Sequence, residues 1–292
     1  MSHSRYSESI GVFYLVARMG EKMLNPLDLA RRFAESYGRC LAGVAHSLTL
    51  IISGPQDHVQ ATDLVSLFDG FTPSVMHVPD VGYDIGKYRA ALETSDFELC
   101  CFLNSYSIMC ASGWLAKLSR CARDPRVGIV GATGSYESAL AGGIALAGLV
   151  ARLRARKRGP RMLRRVFGAF KRWAWYPAFP NPHIRTNAFM IRRDVFQRVR
   201  WPRNPSRMGA LRFESGRRSL TRQVLGMGLD AVIVGRDGRR FGISEWPSSG
   251  TFRQNGQHNL LVADNRTIDY STAAPERRRQ LAAAAWGTDA AE

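Results

Sequence analysis

Residues 100–107 read CCFLNSYS. Cys100–Leu103 is a short apolar run, the pattern of a strand buried on both faces. It ends abruptly in the small polar side chains Asn104, Ser105 and Ser107. In an open α/β sheet, ligands bind just beyond the carboxyl ends of the strands. The cluster therefore reads as the floor of a binding site, with an ordinary polar turn as the alternative.

Upstream of this stretch, Ile10–Ala17 (IGVFYLVA), Ser47–Ser53 (SLTLIIS) and Ser74–Val78 have the composition of strands. Pro26–Tyr37 has helical spacing, with Leu27, Ala30, Phe33, Ala34 and Tyr37 on one side. Ala61–Phe68 is helical, and a loop carrying Asp80 and Asp84 leads into a further helix from about Gly86. Downstream, Gly113–Ala122 reads as a helix and Val127–Val130 as a buried strand running into GATGSYES. Strands alternating with helices predict an α/β fold: a mostly parallel central sheet with right-handed crossovers, flanked by helices. No GxGxxG opens the first helix and no GxxxxGK[ST] occurs, which removes most support for dinucleotide and P-loop chemistry.

The 292 residues are enough for a substantial core, and 45% of them are hydrophobic. No run of eighteen apolar residues is present, and the amino terminus lacks the charged-then-apolar order of a secretory signal. Five cysteines without a CxxC pair predict reduced thiols and a cytoplasmic location, with no zinc site.

The net charge of +17 predicts attraction to polyanions: a phosphorylated substrate, an anionic membrane face or nucleic acid. Between Arg152 and Arg172 stand ten Lys or Arg and no acid, alternating with Leu, Met, Val and Phe. Such a basic amphipathic segment suits an anionic bilayer surface and a peripheral location. A solvated helix face is the competing reading. Nucleic acid ranks lowest, because no DNA- or RNA-binding module is recognisable.

Past Pro177, Arg185–Arg192 reads as a strand, Asp194–Arg200 as a short helix, Ser219–Gly226 as a helix and Ala231–Val234 as a strand. Phe241–Tyr270 has no clear period. Residues 1–270 are expected to form one domain with a basic insertion at about 140–180. Residues 271–292 are expected to form a terminal helix or disordered tail.

The order of three motifs resembles the GT-A fold of family 2 glycosyltransferases. They are Gly86-Lys-Tyr-Arg89, Asn187-Ala-Phe-Met-Ile-Arg-Arg-Asp-Val-Phe196, and Phe213-Glu214 followed by SLTRQVLGMG. The resemblance covers roughly residues 10–240. It implies a hexosyltransferase-type enzyme moving a sugar from a nucleotide-diphosphate donor to a hydroxyl of a glycan or lipid-linked acceptor. Inversion at the anomeric carbon and a role in surface polysaccharide assembly are also implied.

Asn104-Ser-Tyr-Ser107 stands where the family carries DxD, whose carboxylates hold Mg²⁺ or Mn²⁺ against the donor phosphates. Neutral side chains are poor ligands for such ions. Metal is therefore left open, and charge-assisted bonds from Lys87, Arg89, Arg185 and Arg266 are expected to neutralise the diphosphate instead. Asn104, Ser105 and Ser107 are expected at the donor. Asp80 or Asp84 is expected to face its base or ribose, with helix capping as the alternative. Glu214, read as opening a helix, is the expected base for the acceptor hydroxyl. Glu137, Asn187 and His258 are placed on the acceptor side. The reading from another class is a non-catalytic protein that binds sugar nucleotides or glycans on the same fold.

Overall fold

The computed structural model describes residues 9–17, 25–54, 60–68, 70–140, 173–203 and 205–287. Most of the basic insertion, including 152–172, lies outside the described residues.

The first half follows the predicted alternation. Strand β1 (Ile10–Ala17) leads to helix α1 (Pro26–Arg39), β2 (Ser47–Ser53), α2 (Ala61–Val65) and β3 (Ser74–Val78). Then come α3 (Tyr83–Glu93), β4 (Leu99–Leu103), the short β5 (Ile108–Met109), α4 (Trp114–Ala122), β6 (Val127–Gly131) and β7 (Gly134–Ser135). After the insertion follow β8 (His183–Ile184), β9 (Ala188–Arg192), α5 (Arg193–Arg198), α6 (Arg207–Ser215) and α7 (Leu220–Gly226). The chain closes with β10 (Asp230–Val234), β11 (Arg240–Phe241), β12 (Val262–Ala263), α8 (Asn265–Thr272) and α9 (Pro275–Trp286).

Eight strands form one sheet in the order β11-β10-β6-β9-β4-β1-β2-β3. Neighbours run parallel except β9, antiparallel to both β4 and β6, and the edge strand β11. The mostly parallel α/β class holds. The antiparallel β9 enters at the carboxyl end of β4, so Arg185–Asn187 arrive beside Asn104–Ser107.

Alternation along the strands builds a core on each face. Val12, Tyr14, Cys101 and Leu103 pack with α1 and α4 residues on one side. Phe13, Leu15, Cys100 and Phe102 pack with α3, α5 and α7 residues on the other. Fully burying each such large apolar side chain contributes about 1.5–3 kcal/mol. The loop after β4 is tied to β1 twice: the Tyr14 hydroxyl donates to the Ser105 carbonyl at 3.0 Å, and Ser105 Oγ donates to the Leu15 carbonyl at 2.8 Å.

One sequence expectation needs correction. Phe213-Glu214 does not open a helix but ends α6, which Ser206 caps; Ser219 caps the next helix, α7. The glycines of GATGS serve packing: a Cβ on Gly131 would lie 2.7 Å from Ile184, and one on Gly134 would lie 2.6 Å from the Trp246 ring. Residues 275–286, within the expected tail, form α9, and its Ala285 and Trp286 join the core.

Candidate functional site

Two clefts meet at Glu214. The first, about 210 Å³, is lined by Ser135, Glu137, His183, Arg185, Phe252, Arg253 and Arg266, and by Leu211 and Glu214 of α6. The second, about 170 Å³, has Tyr83, Asp84 and Ile85 of α3, Thr186, and Arg207, Ala210, Leu211 and Glu214 of α6. Both open at the carboxyl end of the sheet, where the reversal of β9 brings Arg185 and Thr186.

Glu214 is held from one side only. Its Oε1 accepts from the Thr186 backbone N–H at 2.8 Å and from the Thr186 hydroxyl at 3.1 Å. No other hydrogen bond to this carboxylate occurs among the described residues. The carboxyl end of α6 is anchored by the buried Asn181, whose side-chain amide donates to the Ser215 carbonyl at 2.7 Å.

Cations line the first cleft. The guanidiniums of Arg185 and Arg253 both lie over the Phe252 ring, at 4.3 and 4.9 Å from its centroid. Arg185 is fixed by a 2.6 Å ion pair to the buried Asp264, which also accepts the Arg266 and Thr267 backbone N–H groups at the start of α8. Arg253 is 3% exposed, its Nε has no hydrogen-bond partner among the described residues, and its Nη1 lies 3.4 Å from Glu137. Its φ of +49° puts it in the left-handed region, as do Asn255 and Gln257 just after it and Tyr83 in the second cleft. Non-glycine residues hold that conformation at a cost of roughly 1–3 kcal/mol, and such strain concentrates at binding sites. Arg266 makes no ion pair among the described residues.

His183 is 6% exposed, and its Nδ1 lies 2.8 Å from the Asn181 carbonyl. A carbonyl can only accept, so Nδ1 carries the proton and the neutral ring presents Nε2 as an acceptor. Burial pushes the imidazole below its ordinary value, opposed by Glu214, the Asn181 carbonyl and Glu137, and aided by Arg185. Across Glu214, Asp84 makes no hydrogen bond or ion pair among the described residues. Burial raises its carboxyl above the ordinary range; Lys87 pulls it down and Glu214 pushes it up.

The sequence-derived set thus divides. Arg185, Arg266, Glu137 and Glu214 come together in the first cleft, and Asp84 joins Glu214 in the second. The others are engaged elsewhere. Lys87 is buried against Asp80 at 2.9 Å, and Arg89 pairs with Glu93 at 2.7 Å beside a different groove, near Trp201. Neither lines a cleft at Glu214.

Asn104, Ser105 and Ser107 form a closed turn rather than an open floor. Asn104 Oδ1 accepts from the Tyr106 N–H and Ser107 Oγ, and Ser107 Oγ also lies 3.3 Å from the Asn187 carbonyl. Asn187 is buried behind the clefts, its Oδ1 accepting from Thr133 at 3.1 Å and its Nδ2 without a partner. His258 is exposed, turned to the Asn255 carbonyl at 3.0 Å, and lines neither cleft. Arg253, Thr186 and Phe252 were not singled out from the sequence. Only the placement of Phe252-Arg253 in an aperiodic polar loop could have drawn attention to them.

The divalent cation implied by the family resemblance does not fit this donor set. Among the described residues no group of three or more His, Cys, Asp or Glu could hold a metal ion. The Asn104 oxygen, where a ligand would be sought, is committed to its own turn.

No protein-family model and no curated protein matches the sequence. Solved structures show distant likeness. A mannosyltransferase from Pyrobaculum calidifontis in complex with GDP-Man and Mn²⁺ is 12% identical, with a TM-score of 0.47 over 98% of this chain and 74% of that one. A CMP:2-keto-3-deoxy-manno-octonic acid synthetase complexed with CTP is 12% identical, with a TM-score of 0.42 over 77% and 88%. Glucosyl-3-phosphoglycerate synthase from Mycobacterium tuberculosis, complexed with Mn²⁺, UDP and phosphoglyceric acid, is 15% identical, with a TM-score of 0.36 over 66% and 58%. At these identities none of the three assigns a reaction to this chain.

Proposed function

We propose that this chain is a glycosyltransferase that moves a sugar from a nucleotide-diphosphate donor to a hydroxyl of a glycan or lipid-linked acceptor. The observation that carries the reading is the presence of opposite chemistries in one cleft. Arg185, Arg253 and Arg266 line it together with Glu214, one oxygen of which is anchored by Thr186.

Bond breaking at the anomeric carbon moves negative charge onto the departing diphosphate. Guanidiniums stabilise that charge through bidentate, charge-assisted bonds. The acceptor oxygen forms its bond to the anomeric carbon from the opposite face, and its proton passes to Glu214. Inversion follows from that in-line geometry. Asp84 offers hydrogen-bond acceptors to the ribose or base. Surface polysaccharide assembly and a peripheral place at the inner membrane face, held by the basic segment 152–172, complete the reading. Among the described residues no helix is long and apolar enough to cross a membrane.

One observation favours a second reading, a non-catalytic binder of sugar nucleotides or glycans: the turn at Asn104–Ser107 carries no carboxylate where the resemblance implies a metal-holding one. Glu214→Gln separates the two. A thermal-shift panel of nucleotide sugars first identifies the donor, since a ligand at 100 times its Kd stabilises the fold by ~2.7 kcal/mol. The enzyme reading expects the variant to bind that donor as wild type does and to lose about a hundredfold or more in transfer rate. Absence of transfer by the wild-type protein with every donor that binds would leave the binder reading.

A further inference from the structure

The arginines beside α6 are not neutralised in the way those of the sheet edge are. Arg126, Arg192 and Arg240 each meet an aspartate within 3.2 Å. Arg200, Arg212, Arg217 and Arg218 make no ion pair among the described residues. They line, with Trp175, a groove of about 610 Å³ that has no acidic residue in its wall. Two of them are ordered by aromatic partners. Arg212 lies 4.5 Å over the Trp175 ring, and Arg217 donates to the Trp173 carbonyl at 3.3 Å.

Helical spacing separates this groove from the clefts. Gly209, Arg212 and Phe213 line the groove, whereas Ala210, Leu211 and Glu214 face the clefts. At 100° per residue these are two different faces of α6; Met208 lies between them, and Leu211 lies at the edge of the cleft face. That ridge is apolar and exposed, Met208 by 44% and Leu211 by 42%, and Trp173 near the groove is 50% exposed. Unpaired cations beside bulky exposed apolar side chains make the surface of an interfacial binder. A free phosphate would satisfy the guanidiniums yet leave Met208, Leu211 and Trp173 in water. The chain also enters this face at Trp173 directly from the basic segment 152–172.

We propose that the Arg200–Arg212–Arg217–Arg218 groove and its Met208–Leu211–Trp173 ridge dock on the anionic headgroups of a phospholipid bilayer. Glu214, two residues from Arg212 and so about 160° away around the same helix, stays clear of the docked face. The inference rests on the peripheral location given above and not on the transfer chemistry.

The test is flotation of the intact protein with phosphatidylcholine vesicles, with and without phosphatidylglycerol. Wild type is expected to float with the anionic vesicles alone and to be released by salt. Arg212→Gln/Arg217→Gln/Arg218→Gln should weaken that binding roughly a hundredfold. Arg218→Glu, whose guanidinium makes no hydrogen bond or ion pair among the described residues, should weaken it at an unchanged melting temperature, so the test survives if the triple variant misfolds. The proposal is overturned if wild type does not float. It is also overturned if both groove variants float like wild type, or if single-stranded RNA binds more tightly than anionic vesicles at physiological salt. Vesicle binding without any nucleotide-sugar binding would leave the docking face standing and remove the transferase reading.

Discussion

Thr186 grips one oxygen of Glu214 with two donors, its backbone N–H at 2.8 Å and its hydroxyl at 3.1 Å. The grip sets the direction in which the carboxylate presents its other oxygen. Thr186→Val keeps the β-branched shape and the N–H but removes the hydroxyl. A hydrogen bond to a charged group contributes about 1.5–3 kcal/mol. Steady-state kinetics should show kcat reduced about tenfold at unchanged donor KM, with Thr186→Ser close to wild type. A rise in donor KM at constant kcat would instead place Thr186 in donor binding.

In the Arg185–Asp264 pair Asp264 is buried and Arg185 is mostly so, 11% exposed, so loss of the pair should be felt in stability as well as in binding. Asp264→Asn retains the cap on α8 but leaves Arg185 without its counter-charge. Breaking such a pair costs about 3–5 kcal/mol, readable as a lower urea midpoint at unchanged m-value. Burial alone would raise the Asp264 carboxyl. Arg185 and the bonds from Arg185 and Thr267 outweigh it and hold the group below its ordinary 3.8. The sign follows: this contribution is present above the unfolded value and is lost as pH falls through the lower folded one. The Asn variant should therefore lose less stability than wild type in that acid range.

His183 gives a pH signature nearer neutrality. Its folded value lies below the ordinary 6.5 because burial disfavours the charged ring. Above 6.5 both states are neutral and the contribution is intact; as pH falls below it, the unfolded chain takes up a proton first and stability declines. His183→Asn, which keeps a donor toward the Asn181 carbonyl, should flatten the stability profile between about pH 7 and about pH 5. An unchanged profile would show that His183 does not stay neutral in the cleft.

The fold was legible where one period dominates. Continuous apolar runs at Ile10–Ala17, Ser47–Ser53 and Leu99–Leu103 could only be buried strands, and the spacing from Pro26 marks α1. The direction of β9 was not legible, because composition tells a strand's burial and not the path of the chain that reaches it. Phe213-Glu214 is expected at a helix start because the resembled family opens a helix with its acidic motif; the Ser206 cap places the helix earlier. Arg185 and Arg266 could be named from charge alone. Their meeting with Arg253 in one cleft could not, since it joins residues from the turn after β8, an aperiodic loop and α8. Lys87 and Arg89 pair with Asp80 and Glu93, acids close by in the sequence, where a local ion pair forms first.

The central claim is that guanidiniums, Arg253 above all, hold the leaving diphosphate. Calorimetric titration of nucleoside diphosphates into the intact protein in excess EDTA, for wild type and Arg253→Gln, tests it most directly. The account predicts that wild type binds without metal and that Arg253→Gln binds on the order of a hundredfold more weakly. Binding that requires added Mn²⁺, or that is indifferent to the loss of Arg253, would contradict it.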